Sequence, residues 1–152
     1  MTGNLYVTDA ETSAYKTSPY KNSMPSNTSD PSTVFHQLIT ALQQVLPSAN
    51  LAKTYVPLLS KPNQPFYLWL IDPDFCHEDL TLAVIENLWK NCPYWVFAWA
   101  SGQVLAQYIL QQPQMVRNKV VMDFGAGSGI VGIAAKMAGA KRVICCDIDS
   151  MS

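Results

Sequence analysis

From Lys119 to Asp147 the chain reads as one connected unit: strand, glycine loop, helix, strand. Lys119–Phe124 is a short apolar strand, followed by Gly125-Ala126-Gly127-Ser128-Gly129. Ile130–Ala138 is a tight helix rich in Ala, Ile and Val, and Gly139 stands where a helix ends in left-handed backbone. Arg142–Cys146 is a second buried strand that ends at Asp147. A crossover of this kind joins parallel strands with a right-handed connection. The pattern therefore predicts the α/β class, with a parallel sheet.

The loop carries the chemistry. A ligand lying between a strand and the next helix needs very close approach to the backbone. Glycines at 125, 127 and 129 remove the side chains that would block it, and they allow the positive φ angles of a sharp turn. The helix N-terminus adds amide donors and partial positive charge. Asp147, eighteen residues after Gly129, stands where a carboxylate accepts both hydroxyls of a ribose. These features suit any adenosine-containing cofactor.

Three details narrow the choice. The spacing is GxGxG, not the GxGxxG of dinucleotide enzymes. Asp123 places an acid just before the loop, awkward beside a pyrophosphate but well matched to the ammonium and sulfonium groups of S-adenosylmethionine. No GxxxxGK[ST] is present, which argues against a phosphate-binding P-loop. A turn without a ligand and a nicotinamide or flavin site stay open as alternatives.

Upstream, three regions are expected. Residues 1–30 are polar, with apolar residues at no regular period, and read as a disordered tail. Residues 31–92 read as helix, hairpin, helix. Asp30 caps and Pro31 opens a helix with Val34, Phe35, Leu38, Ile39, Leu42, Val45 and Leu46 on one face and His36 on the surface side. Thr54–Leu59 and Phe66–Ile71 form the hairpin strands, and Asp72-Pro73-Asp74 ends the hairpin as a turn rather than as an acid–base pair. His77–Lys90 is the second helix. A third helix, capped by Ser101, runs to Gln112, and Pro113 stops it. Residues 93–152 are expected to hold the first half of the cofactor-binding domain.

Composition excludes other classes. With net charge -1 and no Lys/Arg cluster, the chain offers no electrostatic case for nucleic acid or anionic membrane. No apolar run approaches the roughly 20 residues of a membrane span. Cys76, Cys92, Cys145 and Cys146 form no CxxC pair, and adjacent strand residues point to opposite faces, so no metal site is expected. Reduced thiols and the lack of a signal peptide pattern lead to a cytoplasmic expectation.

The segment Val120-Val121-Met122-Asp123-Phe124-Gly125-Ala126-Gly127-Ser128-Gly129 resembles motif I of the class I methyltransferases, and Arg142–Asp149 resembles their second strand with its ribose acid. Pro93-Tyr94-Trp95-Val96-Phe97-Ala98-Trp99-Ala100-Ser101-Gly102-Gln103 is similar to a segment of the protein-lysine methyltransferases that act on the electron-transfer flavoprotein β-subunit, and of their bacterial relatives. The ribosomal-protein methyltransferase group shares motif I but matches that segment less well. The resemblance covers about Pro93 to Asp149.

It implies an incomplete Rossmann-like, doubly wound sheet that binds S-adenosylmethionine, preceded by the helical and hairpin region. Asp123, Gly125, Ala126, Gly127 and Gly129 would border the methionine part, Asp147 would hold the ribose, and Trp99, Ser101 and Gly102 would lie under the cofactor. Trp95 is expected to be core. Gln103 has no evident role, and Asp149 either approaches the adenine edge or starts the next turn. Ala100 stands where relatives often carry Pro. The activity implied is methyl transfer, with a protein lysine as acceptor, and no catalytic residue can be assigned. The chain ends at Ser152, before the strands that complete such a sheet, so a truncated chain with an uncovered strand edge and apolar face is expected. An inactive, methyltransferase-like remnant or a partner-dependent binding module is the main alternative, ahead of an NAD-dependent oxidoreductase.

Overall fold

A computed structural model describes residues 5–8, 30–58, 65–76 and 80–148. It is a mixed α/β structure with two sheets. The elements are β1 (Leu5–Thr8), α1 (Pro31–Val45), β2 (Leu51–Tyr55), β3 (Tyr67–Ile71), α2 (Leu82–Lys90), α3 (Ala100–Gln111), β4 (Val120–Phe124), α4 (Ile130–Met137) and β5 (Arg142–Cys146).

The crossover forms as its sequence demands. β4 and β5 pair in parallel, Val120 opposite Arg142 through Phe124 opposite Cys146, with α4 between them in the chain. Helix α4 packs on two sides at once. Ala135 and Ala138 meet Val143 of β5 and Ile109 of α3, while Ile130 and Ala134 join the hairpin residues Val56, Leu68 and Leu70. Small residues are what allow one helix to approach both layers. It ends at Gly139, φ +94°, whose N–H donates to Lys136 O while Ala140 N–H donates to Ala135 O. This paired closure satisfies two of the last carbonyls.

The hairpin also has two working faces. Leu68 and Leu70 turn toward α3 and α4. Leu51 and Ile71 turn toward α1, α2 and the buried pair Trp95 and Val96. Trp69, on that second face, packs against Phe35 of α1 with ring centres 4.4 Å apart. Helix α1 starts where expected: Asp30 accepts from Ser32 N–H and from the Ser32 hydroxyl. His36 is on the surface, and Asp74 N–H donates to Asp72 Oδ1 at 2.9 Å, so these carboxylates belong to a turn.

Several boundaries differ from the sequence expectation. The first hairpin strand is Leu51–Tyr55, not Thr54–Leu59. Pro57 has no N–H for the ladder, so pairing closes before it. Helix α2 begins at Leu82, not His77, because the Thr81 side chain accepts from Val84 N–H; His77 lies outside the described residues. Ser101 is not the cap of α3. Trp99 holds that position without a side-chain cap, and Ser101 is the second residue of the helix. The tail expectation is corrected at Leu5–Thr8, which pairs antiparallel with β5, Leu5 opposite Cys146 and Thr8 opposite Val143. An alternating pair of apolar residues, Leu5 and Val7, was too short a signal to read as a strand. The rest of 1–29, the turn at 61–64 and Asp149 lie outside the described residues.

The three-stranded sheet therefore runs β1-β5-β4. Among the described residues no strand pairs with the outer edge of β4. Val120, Met122 and Phe124 point away from α4 and are 61%, 61% and 88% exposed.

Candidate cofactor site

The loop between β4 and α4 is built from backbone contacts to the end of β5. Gly125 N–H and Ala126 N–H both donate to Cys146 O, at 2.8 and 3.1 Å. Gly129 N–H folds back onto Ala126 O at 2.8 Å. These bonds hold the turn in a shape with φ of +73° at Gly125, +51° at Gly127 and +72° at Gly129. Left-handed backbone costs an ordinary L-residue roughly 1–2 kcal/mol, so glycine is the natural occupant. A Cβ built on Gly125 or Gly127 meets no atom within 4 Å. The glycines here are not making room for the protein's own side chains. The space above them is open, as a cradle for a ligand requires.

Two carboxylates frame this space. Asp147, directly after β5, accepts from Gly127 N–H through Oδ2 at 2.7 Å. Asp123, on β4, accepts from Gly132 N–H in the first turn of α4 through Oδ2 at 2.8 Å. Burial pushes the Asp123 carboxyl above the usual carboxylate range, the Gly132 N–H opposes that rise, and the nearby Asp147 charge adds to it. Two acids sharing a half-buried corner next to a bare loop make a site that favours a cation. The cleft lined by Ser48, Asn50, Asp72, Asp74, Phe75 and Cys76 includes none of these residues.

The start of α3 reaches the same region. A Cβ on Gly102 would lie 2.9 Å from Ile130 Cγ2, so Gly102 lets α3 press on the first turn of α4. Gln103, which had no clear role, donates from Nε2 to Ala98 O at 2.6 Å and fixes the chain entering α3. Trp99 donates from its indole N–H to Tyr94 O at 2.9 Å and packs against Tyr94 and Phe97 while remaining half exposed. Trp95 is core, 5% exposed. Ser101 is exposed, and no hydrogen bond among the described residues ties it to the loop.

Thus Asp123, Gly125, Ala126, Gly127, Gly129 and Asp147 come together, and Gly102 adjoins them through α4. Sequence reasoning missed Gly132 and Cys145. The available signal was a glycine inside an alanine-rich helix, where it costs about 1 kcal/mol against Ala and so needs a packing reason.

The class to which this loop and its strands are similar is the class I S-adenosylmethionine-dependent methyltransferases. Residues 103–152 match the family model described as Ribosomal protein L11 methyltransferase (PrmA). Among individual proteins, the chain is 46% identical over 67 residues to the electron transfer flavoprotein beta subunit lysine methyltransferase of Homo sapiens, covering 43% of this chain and 26% of that protein. It is 35% identical over 82 residues to the homolog of that enzyme in Caenorhabditis elegans, covering 54% and 29%. It is 34% identical over 92 residues to the protein N-terminal and lysine N-methyltransferase efm7 of Schizosaccharomyces pombe, covering 60% and 34%. The chain spans between about a quarter and a third of the length of these relatives.

Proposed function

We propose that the chain carries the S-adenosylmethionine-binding part of a protein lysine N-methyltransferase, built on an incomplete Rossmann-like, doubly wound sheet. The observation that carries this reading is the open cradle over Gly125 and Gly127, with Asp123 and Asp147 beside it. The names of the relatives support lysine on a protein as the acceptor.

When bound, S-adenosylmethionine supplies a methyl group already activated by its positively charged sulfur. The residues of this chain have three tasks. Asp147 would take the ribose hydroxyls in place of Gly127 N–H and so hold the adenosine end. The glycine loop would admit the methionine part. Asp123 would provide negative charge for the cationic end. Holding donor and acceptor in line is the principal contribution such a protein makes. An acceptor lysine reacts only when neutral, because an ammonium has no lone pair.

Isothermal titration with S-adenosylmethionine, S-adenosylhomocysteine and NAD tests the reading. Binding of the first two, lost in Asp147→Ala, supports it. Heat with NAD alone indicates an oxidoreductase site. No heat with any of the three favours a methyltransferase-like binding module.

A further inference from the structure

Gly132 lies in the first turn of α4, and a side chain there has nowhere to go. A Cβ would fall 2.6 Å from Cys145 Sγ, 3.2 Å from Asp123 Oδ2 and 3.3 Å from Val143 Cγ1. Two strands thus converge on one helical residue. The same residue donates the N–H that holds Asp123 Oδ2. Cys145 sits on β5 opposite Asp123 in the parallel register, on the face turned to α4. Burial first, then the charges of Asp123 and Cys146, push the Cys145 thiol up. It is therefore a neutral, soft wall rather than a second anion.

We propose that Gly132 and Cys145 are positioning residues for Asp123: the glycine brings an amide donor into contact with the carboxylate, and the thiol closes its flank, so that a fixed negative charge faces the cationic end of the cofactor. This rests on the cofactor reading above. It assigns a purpose to a glycine that the loop motif does not explain. The groups acting on the Asp123 carboxyl from its neighbouring elements are Gly132 N–H from α4 and Asp147 after β5; Cys145 of β5 interacts with Asp123, and Cys146 acts only on Cys145. Lys136, one turn along α4, directs its ammonium to Lys141 O instead.

The device acts on charge, so it is read through charge. The full chain is compared with Gly132→Ala, Cys145→Ala and the double variant. The first readout needs no ligand: the titration of the Asp123 carboxyl, followed by carbon-13 NMR. The second is the ratio of affinities for S-adenosylmethionine, which is cationic at sulfur, and S-adenosylhomocysteine, which is not. In Gly132→Ala the Asp123 midpoint rises as its donor is displaced, and affinity for the cationic ligand falls about threefold or more beyond any loss for the neutral one. In the double variant the space left by the thiol lets the helix return, and both readouts move back toward wild type.

An unchanged midpoint and ratio in a folded Gly132→Ala chain would overturn the proposal, as would a double variant that recovers nothing. Should Gly132→Ala not fold, Cys145→Ala decides alone. Opening the flank to water lowers the Asp123 midpoint, and no movement overturns the idea. If wild type binds neither ligand, the cofactor reading fails while the titration still tests the positioning of Asp123.

Discussion

Gly127→Ala separates the conformational duty of the loop from its ligand duty. Gly127 has φ +51°, and a Cβ there meets nothing within 4 Å. In the ligand-free protein the substitution therefore carries no steric clash, only the cost of left-handed backbone, roughly 1–2 kcal/mol. The smaller entropy of the unfolded alanine chain returns about 0.4–1 kcal/mol. The net is about 1 kcal/mol, which for a chain of this size is a fall in melting temperature of roughly 2–4 °C. Binding is affected differently. A methyl group standing in the cradle displaces any ligand that touches the glycine backbone, and overpacking of this kind costs about 1–3 kcal/mol, or roughly fivefold to over a hundredfold in affinity. Thermal melting and calorimetric titration of S-adenosylhomocysteine on the same preparations measure the two effects. A variant that melts in the expected window yet binds with wild-type affinity would refute the assignment of the open space to the cofactor.

Other outcomes follow from the same geometry. Gly102→Ala places a Cβ 2.9 Å from Ile130 Cγ2 and should destabilise by about 1–3 kcal/mol in chemical unfolding; Ile130→Leu, which has no methyl branch at Cβ, should recover part of it. Leu42 of α1 is fully buried in the cluster it shares with Leu51 and Trp95, so Leu42→Ala should lose about 2–5 kcal/mol by the same assay. Asp123→Asn should stabilise the ligand-free protein at neutral pH. The Asp123 pKa is raised in the folded state, so the native protein holds a proton that the unfolded chain has already released, and stability falls as pH climbs from the ordinary carboxylate range through the raised value. Asparagine keeps an acceptor for Gly132 N–H without the desolvated charge. The melting-temperature gap between variant and wild type should close as pH drops below about 4, and a gap that widens there would contradict the assignment.

The strand–loop–helix–strand unit was legible in the sequence because every level agreed on it. The run before Gly125, the three glycines, the alanine-rich helix and the glycine stop each allow few alternatives, and the structure brings Asp123 and Asp147 to the loop together. The less legible parts depend on contacts between distant residues. Leu5–Thr8 becomes a strand only because β5 offers an edge, and no local pattern records that edge. The hairpin shifted because Pro57 ends the ladder, a constraint that outweighed the apolar character of Leu58 and Leu59. The need for Gly132 is set by Cys145 and Val143, whose side chains reach it only once the strands and helix have packed.

The most direct test is the structure of the chain with S-adenosylhomocysteine bound. Asp147 is expected to leave Gly127 N–H and accept both ribose hydroxyls, with the ligand lying on Gly125 and Gly127. A ligand bound elsewhere, with Asp147 still on the loop amide, would contradict the account.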